Sequence, residues 1–163
     1  MKIFPTKELR FKLIDGQVAT LDRLNRRTEI SKNLTSSYTD QSFRGIINGN
    51  EFKIISSVIG KGAFCVMTGE IGSDYGTVSV EINKAFKILL GIILLFPIVG
   101  LVLFIITTPD EFSMIMVLTV IGQILLIRFV GIWYFFRRFS DESLSRLRDV
   151  LDIEWQTSVT LKR

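Results

Sequence analysis

The chain contains no histidine and only one cysteine, Cys65. A lone thiol cannot close an internal disulfide, so nothing here calls for an oxidising compartment. Zinc sites of the Cys₄, Cys₂His₂ or His₃ kind cannot be built within one copy. Ser-His-Asp and Cys-His catalysis are excluded for the same reason. Catalysis would have to rest on carboxylates, Lys or Tyr, and no pair of acids suggests it. The chain is therefore read as a non-enzyme, with no catalytic residue, metal or cofactor assigned. Long runs of one charge are missing too. The net charge is +4 and the pI about 9.4, yet no five like charges are consecutive, which argues against a DNA or RNA polymer as partner. The opening MKIFPTKELRFK is charged and leads into no apolar stretch, so it is not read as a cleavable signal peptide.

Apolar residues are abundant and unevenly spread. The mean hydropathy is +0.39, and the excess lies between Ile88 and Phe136. Ile88 to Thr107 is 20 residues without a charge, roughly 30 Å as a helix, enough to cross a hydrocarbon core. Pro97 sits in the middle and removes one backbone hydrogen bond, which membrane helices tolerate. Gly91 and Gly100 would let a neighbour approach closely. A second span is predicted over 112–136, ending in Trp133, Tyr134, Phe135, Phe136, Arg137 and Arg138. Rings at the headgroup level followed by arginines are an interface signature. The connection carries Asp110 and Glu111, whereas Lys84, Lys87, Arg137 and Arg138 flank the other ends. The positive-inside rule puts the tip outside and both termini in the cytoplasm, at the inner membrane of a bacterium.

Arg128 is the only charge inside either span. One reading is an arginine that snorkels to lipid phosphates; the other is a pore-lining or inter-subunit residue. Gln123 shares a helical face with Thr119 and could hydrogen-bond across an oligomer interface. Arg128, Gln123 and Pro97 are therefore the candidate functional residues of the spans.

Outside the spans the period changes. Glu8 to Leu13 alternates polar and apolar, as a half-buried strand does. Val18, Leu21 and Leu24 suggest a short amphipathic helix over 17–27. Ser31 to Gln41 is polar and aperiodic, a loop. Asn48-Gly49-Asn50 separates two apolar runs, 42–47 and 51–57, and predicts a hairpin, because Asn and Gly both tolerate positive φ in the turn. Strands over 63–71 and 77–82 follow. Gly60-Lys61-Gly62 is read as a plain turn because the spacing of a phosphate-binding loop is absent. Cys65 is read as a small buried hydrophobe. In the tail, Ser140 with Asp141 and Glu142 predicts a helix start. Leu144, Leu147, Val150 and Leu151 predict an apolar stripe, and 153–161 predicts a strand returning to the first sheet. The expected fold class is an α+β membrane protein: a small antiparallel β-rich cytoplasmic domain (1–87), a transmembrane hairpin (88–136, spans 88–107 and 112–136) and a cytoplasmic helix plus strand (137–163).

Phe43-Arg44-Gly45-Ile46-Ile47-Asn48-Gly49-Asn50-Glu51-Phe52-Lys53-Ile54, then Gly69-Glu70-Ile71 and Gly76-Thr77-Val78 before the spans, resembles a group of small bacterial two-span proteins of uncharacterised function. More loosely, the architecture is similar to two-transmembrane β-barrel effectors of bacterial cyclic-nucleotide antiphage systems. That likeness implies a domain that senses a cyclic nucleotide and oligomerised spans that disrupt the inner membrane. Three functions are thus expected in rank. The first is a membrane sensor or effector whose β domain binds a small ligand or a protein partner and controls assembly of the spans as a homo-oligomer in the bilayer. The second is a non-catalytic accessory or scaffold subunit of a larger membrane complex. The third, an enzyme, ranks last, and no ligand-binding residues are assigned.

Overall fold

The computed structural model describes residues 4–35, 38–58, 61–108 and 113–162, with side chains up to 156. The expected tip, Pro109 to Glu111, and Phe112 lie outside the described residues, as does Gly60. Seven strands form one sheet in the order β2-β3-β4-β5-β6-β1-β7. They are β1 (Thr6–Leu13), β2 (Thr28–Ile30), β3 (Phe43–Asn48), β4 (Glu51–Ser56), β5 (Cys65–Ile71), β6 (Tyr75–Ile82) and β7 (Ile153–Lys162). Four helices accompany them: α1 (Gly16–Arg26), α2 (Lys84–Thr107), α3 (Met114–Leu126) and α4 (Trp133–Leu151).

The expected α+β class is present, but the sheet is mixed rather than wholly antiparallel, because β2 runs parallel to β3. A three-residue strand carries too little alternation to be seen in sequence. Its partner selects it, pairing Thr28 with Phe43 and Ile30 with Gly45.

Strand pairing follows the period-2 pattern closely. On β1, Leu9, Phe11 and Leu13 are buried while Arg10 and Lys12 are exposed. On β6, Gly76, Val78, Val80 and Ile82 are buried and Thr77 is exposed. Register places Leu9 beside Val78, and Val78 beside Gly69. One face of the sheet is thus apolar, and Phe52, Ile54, Met67 and Cys65 continue it. Helices α1 and α4 cover this inner face. Helix α4 buries Phe136, Ser140, Ser143, Leu144, Leu147 and Leu151, positions spaced by three and four that form one helical stripe. Lys7 Nζ bridges to Asp141 on α4 at 2.6 Å, and Phe64 meets Phe139 edge to face at 5.1 Å.

Four expectations of the sequence need correction. Ser140 does not start a helix. It lies inside one continuous helix from Met114 to Leu151, is fully buried, and donates its hydroxyl to the Arg137 carbonyl at 3.1 Å. Nothing between 114 and 151 breaks a helix, and a serine that bonds backwards within its own helix is not needed as a cap. Within the second span, Ile127–Ile132 form a π-helical segment. In α1 the buried residues are Thr20 and Leu24, while Val18 is 82% exposed; a strict three-residue period drifts off a 3.6-residue face. The hairpin turn is Gly49-Asn50, with Asn48 paired to Glu51 in the ladder. Only Gly49 has positive φ, +59°, which matches a turn with glycine in its first central position. Gly62–Phe64 form a short 3₁₀ turn, so β5 begins at Cys65 rather than at Ala63.

The chain divides into two compact units. One comprises residues 1–83 and 136–163; the other is 84–135. The tail therefore belongs with the sheet, and β7 completes it by pairing with β1, as a returning strand would. Helices α2 and α3 contact each other within the second unit, and neither has a buried residue. Both membrane-length helices are long and apolar enough to cross a bilayer.

Candidate functional site

The outer face of the sheet is polar, and much of it is uncovered. Register sets its residues in rows across the strands. One row runs Glu51, Glu70, Thr77, Arg10 and Gln156, from β4 to β7. The next toward the strand ends is Tyr75, Lys12 and Glu154. All these residues are exposed, whereas Ile55 and Val66, farther along the same face, are buried. An open cavity of about 490 Å³ lies over the first row, lined by Arg10, Glu70, Tyr75, Thr77 and Gln156 with Gly72 and Gly76. That volume is in the range of small-molecule sites.

The chemistry of this cavity is incompletely paired. None of Arg10, Glu70, Tyr75, Thr77 and Gln156 makes a side-chain hydrogen bond or ion pair with another described residue. Arg10 and Glu70 have opposite charge but are separated by Thr77 on β6, two strand spacings or about 9.6 Å. The cavity thus offers a guanidinium, a carboxylate, a phenol, a hydroxyl and an amide to a ligand. Gly76 is required by the other face of the sheet: a Cβ there would come within 2.2 Å of the Phe11 ring and 2.8 Å of the Glu70 carbonyl. Sequence reading missed this group because its members come from four strands, and only the register brings them together.

A second constellation is built on Asn83. Asn83 is the single residue between β6 and α2. Its side-chain amide donates to the Leu34 carbonyl at 2.9 Å and the Ala63 carbonyl at 3.0 Å, and its backbone N–H donates to the Phe64 carbonyl at 2.8 Å. One residue therefore joins the loop after β2, the 3₁₀ turn and the last strand before the hairpin. Three arginines, Arg23, Arg26 and Arg27, line another open cavity of about 510 Å³ with Asp40 and Gln41. Arg23 is already engaged by Asp15 and Asp152, and Arg26 by Asp22.

The three residues expected in the spans are placed separately. Pro97 lies inside α2, which continues through it. Gln123 is exposed on α3, and its backbone carbonyl accepts from Ile127 N–H. Thr119 donates its hydroxyl to the Ile115 carbonyl at 2.9 Å, so that proton serves its own helix. Arg128 lies in the π-helical segment, half-buried, with its guanidinium carbon 5.8 Å from the centre of the Phe129 ring. Cβ atoms built at Gly91, Gly100, Gly122 and Gly131 would meet nothing within 4 Å. Those faces are not used for packing between described residues.

Cys65 is fully buried on β5, and burial pushes its thiol up to about 12. It behaves as the expected small hydrophobe and not as a nucleophile. No group of three or more acidic or cysteine side chains placed to hold a metal ion occurs among the described residues. No family model matches the chain, and neither does any curated protein or solved structure.

Proposed function

We propose that the protein is a two-pass membrane sensor or effector. Its sheet domain binds a small polar ligand or a protein partner over the uncovered face, and binding sets the assembly of the hairpins in the bilayer. The observation that carries this reading is the unpaired group of Arg10, Glu70, Tyr75, Thr77 and Gln156 at the cavity. Charged groups held apart on a rigid sheet are suited to a ligand that supplies both complements. Chain connectivity supports the output side. The sheet passes into α2 through Asn83 alone, and α3 continues into α4, which forms part of the domain core. The hairpin supports assembly through Gln123 and the unoccupied glycine faces. Both termini are placed in the cytoplasm by the positive-inside rule, at the bacterial inner membrane.

The test is a thermal-shift screen of detergent-purified protein with nucleotides, cyclic ones included, while oligomer size is measured. A ligand that raises the melting temperature and changes oligomer size, with both effects lost in Arg10→Ala and Glu70→Ala, is the expected result. A hit among cyclic nucleotides would extend the reading to the defence role that the looser resemblance implies. A ligand that binds equally well to both variants would remove the cavity from the proposal.

One observation favours the second reading, an accessory or scaffold subunit. Strand β7, ten residues long, lies at the edge of the sheet, and seven of its residues pair with β1 on one side only among the described residues. Such an edge can accept a strand from another protein. Co-purification with a fixed heterologous partner, lost when β7 is interrupted by proline, would select that reading.

A further inference from the structure

We infer that Arg128 holds the phosphate of an anionic phospholipid in the leaflet where α2 begins and the second span ends. The inference rests on the hairpin crossing a bilayer, which is part of the reading above.

Between Glu81 and Asp141 the only carboxylates are Asp110 and Glu111. In the sequence they precede Arg128 by 18 and 17 residues. No described carboxylate pairs with Arg128, whose nearest recorded partner is the Phe129 ring. A second copy of the chain does not solve the problem, because it brings the same hairpin with no acid at that depth. An arginine left uncompensated in hydrocarbon is costly. The anion must therefore come from the bilayer.

Depth makes a lipid phosphate reachable. Counted from the tip, Arg128 is 14 residues from Met114, about 21 Å up the helix. Lys87 is 20 residues from Thr107, about 30 Å up the other helix. Arg128 thus starts about 9 Å below Lys87, and an extended arginine side chain recovers most of that distance by snorkelling. Trp133, Tyr134 and Phe135 follow it at the exit of the span, each well exposed, as an interfacial belt requires. Lys84, Lys87, Arg137 and Arg138 bring four formal positive charges to that end of the sequence, against Glu81 and Asp141. The excess positive charge selects a headgroup with net negative charge over a zwitterionic one. The π-helical segment falls on Arg128 itself, and such segments recur at functional positions of helices.

The experiment uses the full chain in nanodiscs of phosphatidylcholine with a minority of phosphatidylglycerol. Lipid retained after mild detergent extraction is counted by native mass spectrometry. Wild type is expected to retain phosphatidylglycerol over phosphatidylcholine, and Arg128→Gln to lose about fivefold of that preference with an unchanged circular dichroism spectrum. Arg128→Lys should keep part of it, which separates loss of charge from loss of fold. Lys84→Gln with Lys87→Gln should reduce it further. Equal retention in wild type and Arg128→Gln overturns the inference, as does displacement of the lipid by millimolar inorganic phosphate. Failure of the chain to float with vesicles at all would instead overturn the membrane reading beneath it.

Discussion

In strand β6 of the sheet domain every second residue is apolar and hidden; in the hairpin nearly every residue is apolar and none in α2 or α3 is hidden. The difference separates two solvents. Strand β6 buries Val78, Val80 and Ile82 within its own chain. Helix α2 presents Ile88, Leu95, Phe96 and Ile106 outward on several sides, exposed by 54% at Leu95 and 78% at Phe96. A helix that is apolar all round has no inside and outside of its own, and lipid or another hairpin must supply the surroundings.

The sharpest way to break this contrast is a matched pair of truncations. Leu147 on α4 is fully buried, so Leu147→Ala is expected to cost the domain about 2–5 kcal/mol. Leu95→Ala on α2 should cost less than about 0.5 kcal/mol of the same transition. Denaturant unfolding in detergent, followed at Trp155, measures both, since that ring lies 6.0 Å from Phe11 in the domain. Equal costs would mean that the hairpin is packed like the core.

Glycine substitutions should divide in the same manner. Gly76→Ala forces a methyl into Phe11 and is expected to destabilise by about 1–3 kcal/mol. Gly91→Ala meets open space and gains helix propensity, so the monomer should be stabilised by up to about 1 kcal/mol. A drop in oligomer size in Gly91→Ala would identify that face as a contact between hairpins.

A smaller effect concerns Cys65. Its folded-state pKa is raised from 9.0 to about 12 by desolvation. The folded state therefore keeps its proton at a pH where the unfolded chain loses it. Its contribution to stability is complete below pH 9 and declines as pH rises from 9 toward 12, by roughly 1 kcal/mol per pH unit. Stability profiles of wild type and Cys65→Ala should diverge only in that window, and a thiol reagent should label the native protein slowly at pH 8. The smallest effect is expected at the ion pair between Lys7 and Asp141, whose carboxylate is half-exposed. Asp141→Asn should change stability by at most about 1 kcal/mol, less in high salt.

Much of this architecture can be read from residue patterns because most elements obey one period over their whole length. Strands β1 and β6, the turn region at Gly49 and the long apolar helix α2 are of that kind. The remainder depends on partners distant in sequence. Strand β2 exists through β3, and the cavity group exists through the register of four strands. Ser140 misled because serine followed by acids has the same appearance at a helix start and on a buried stripe. The π-helical turn at Arg128 leaves no periodic trace in a segment that is apolar on every side. Of the expected site residues, Arg128, Gln123 and Pro97 were visible as exceptions within an apolar run, whereas Arg10 and Glu70 look like ordinary solvent-facing strand residues.

The return of the chain after the hairpin also bears on how the protein is made. Strand β1 is flanked by β6 on one side and β7 on the other, and β7 is separated from it by both apolar helices in the order of synthesis. Helix α4, which carries Leu144, Leu147 and Leu151 into the core, also leaves the ribosome after both spans. The inner face bearing Phe11, Val78 and Val80 stays half-covered until the chain beyond both apolar helices has been made. A nascent chain stalled before residue 136 should expose its core to proteases or chaperones.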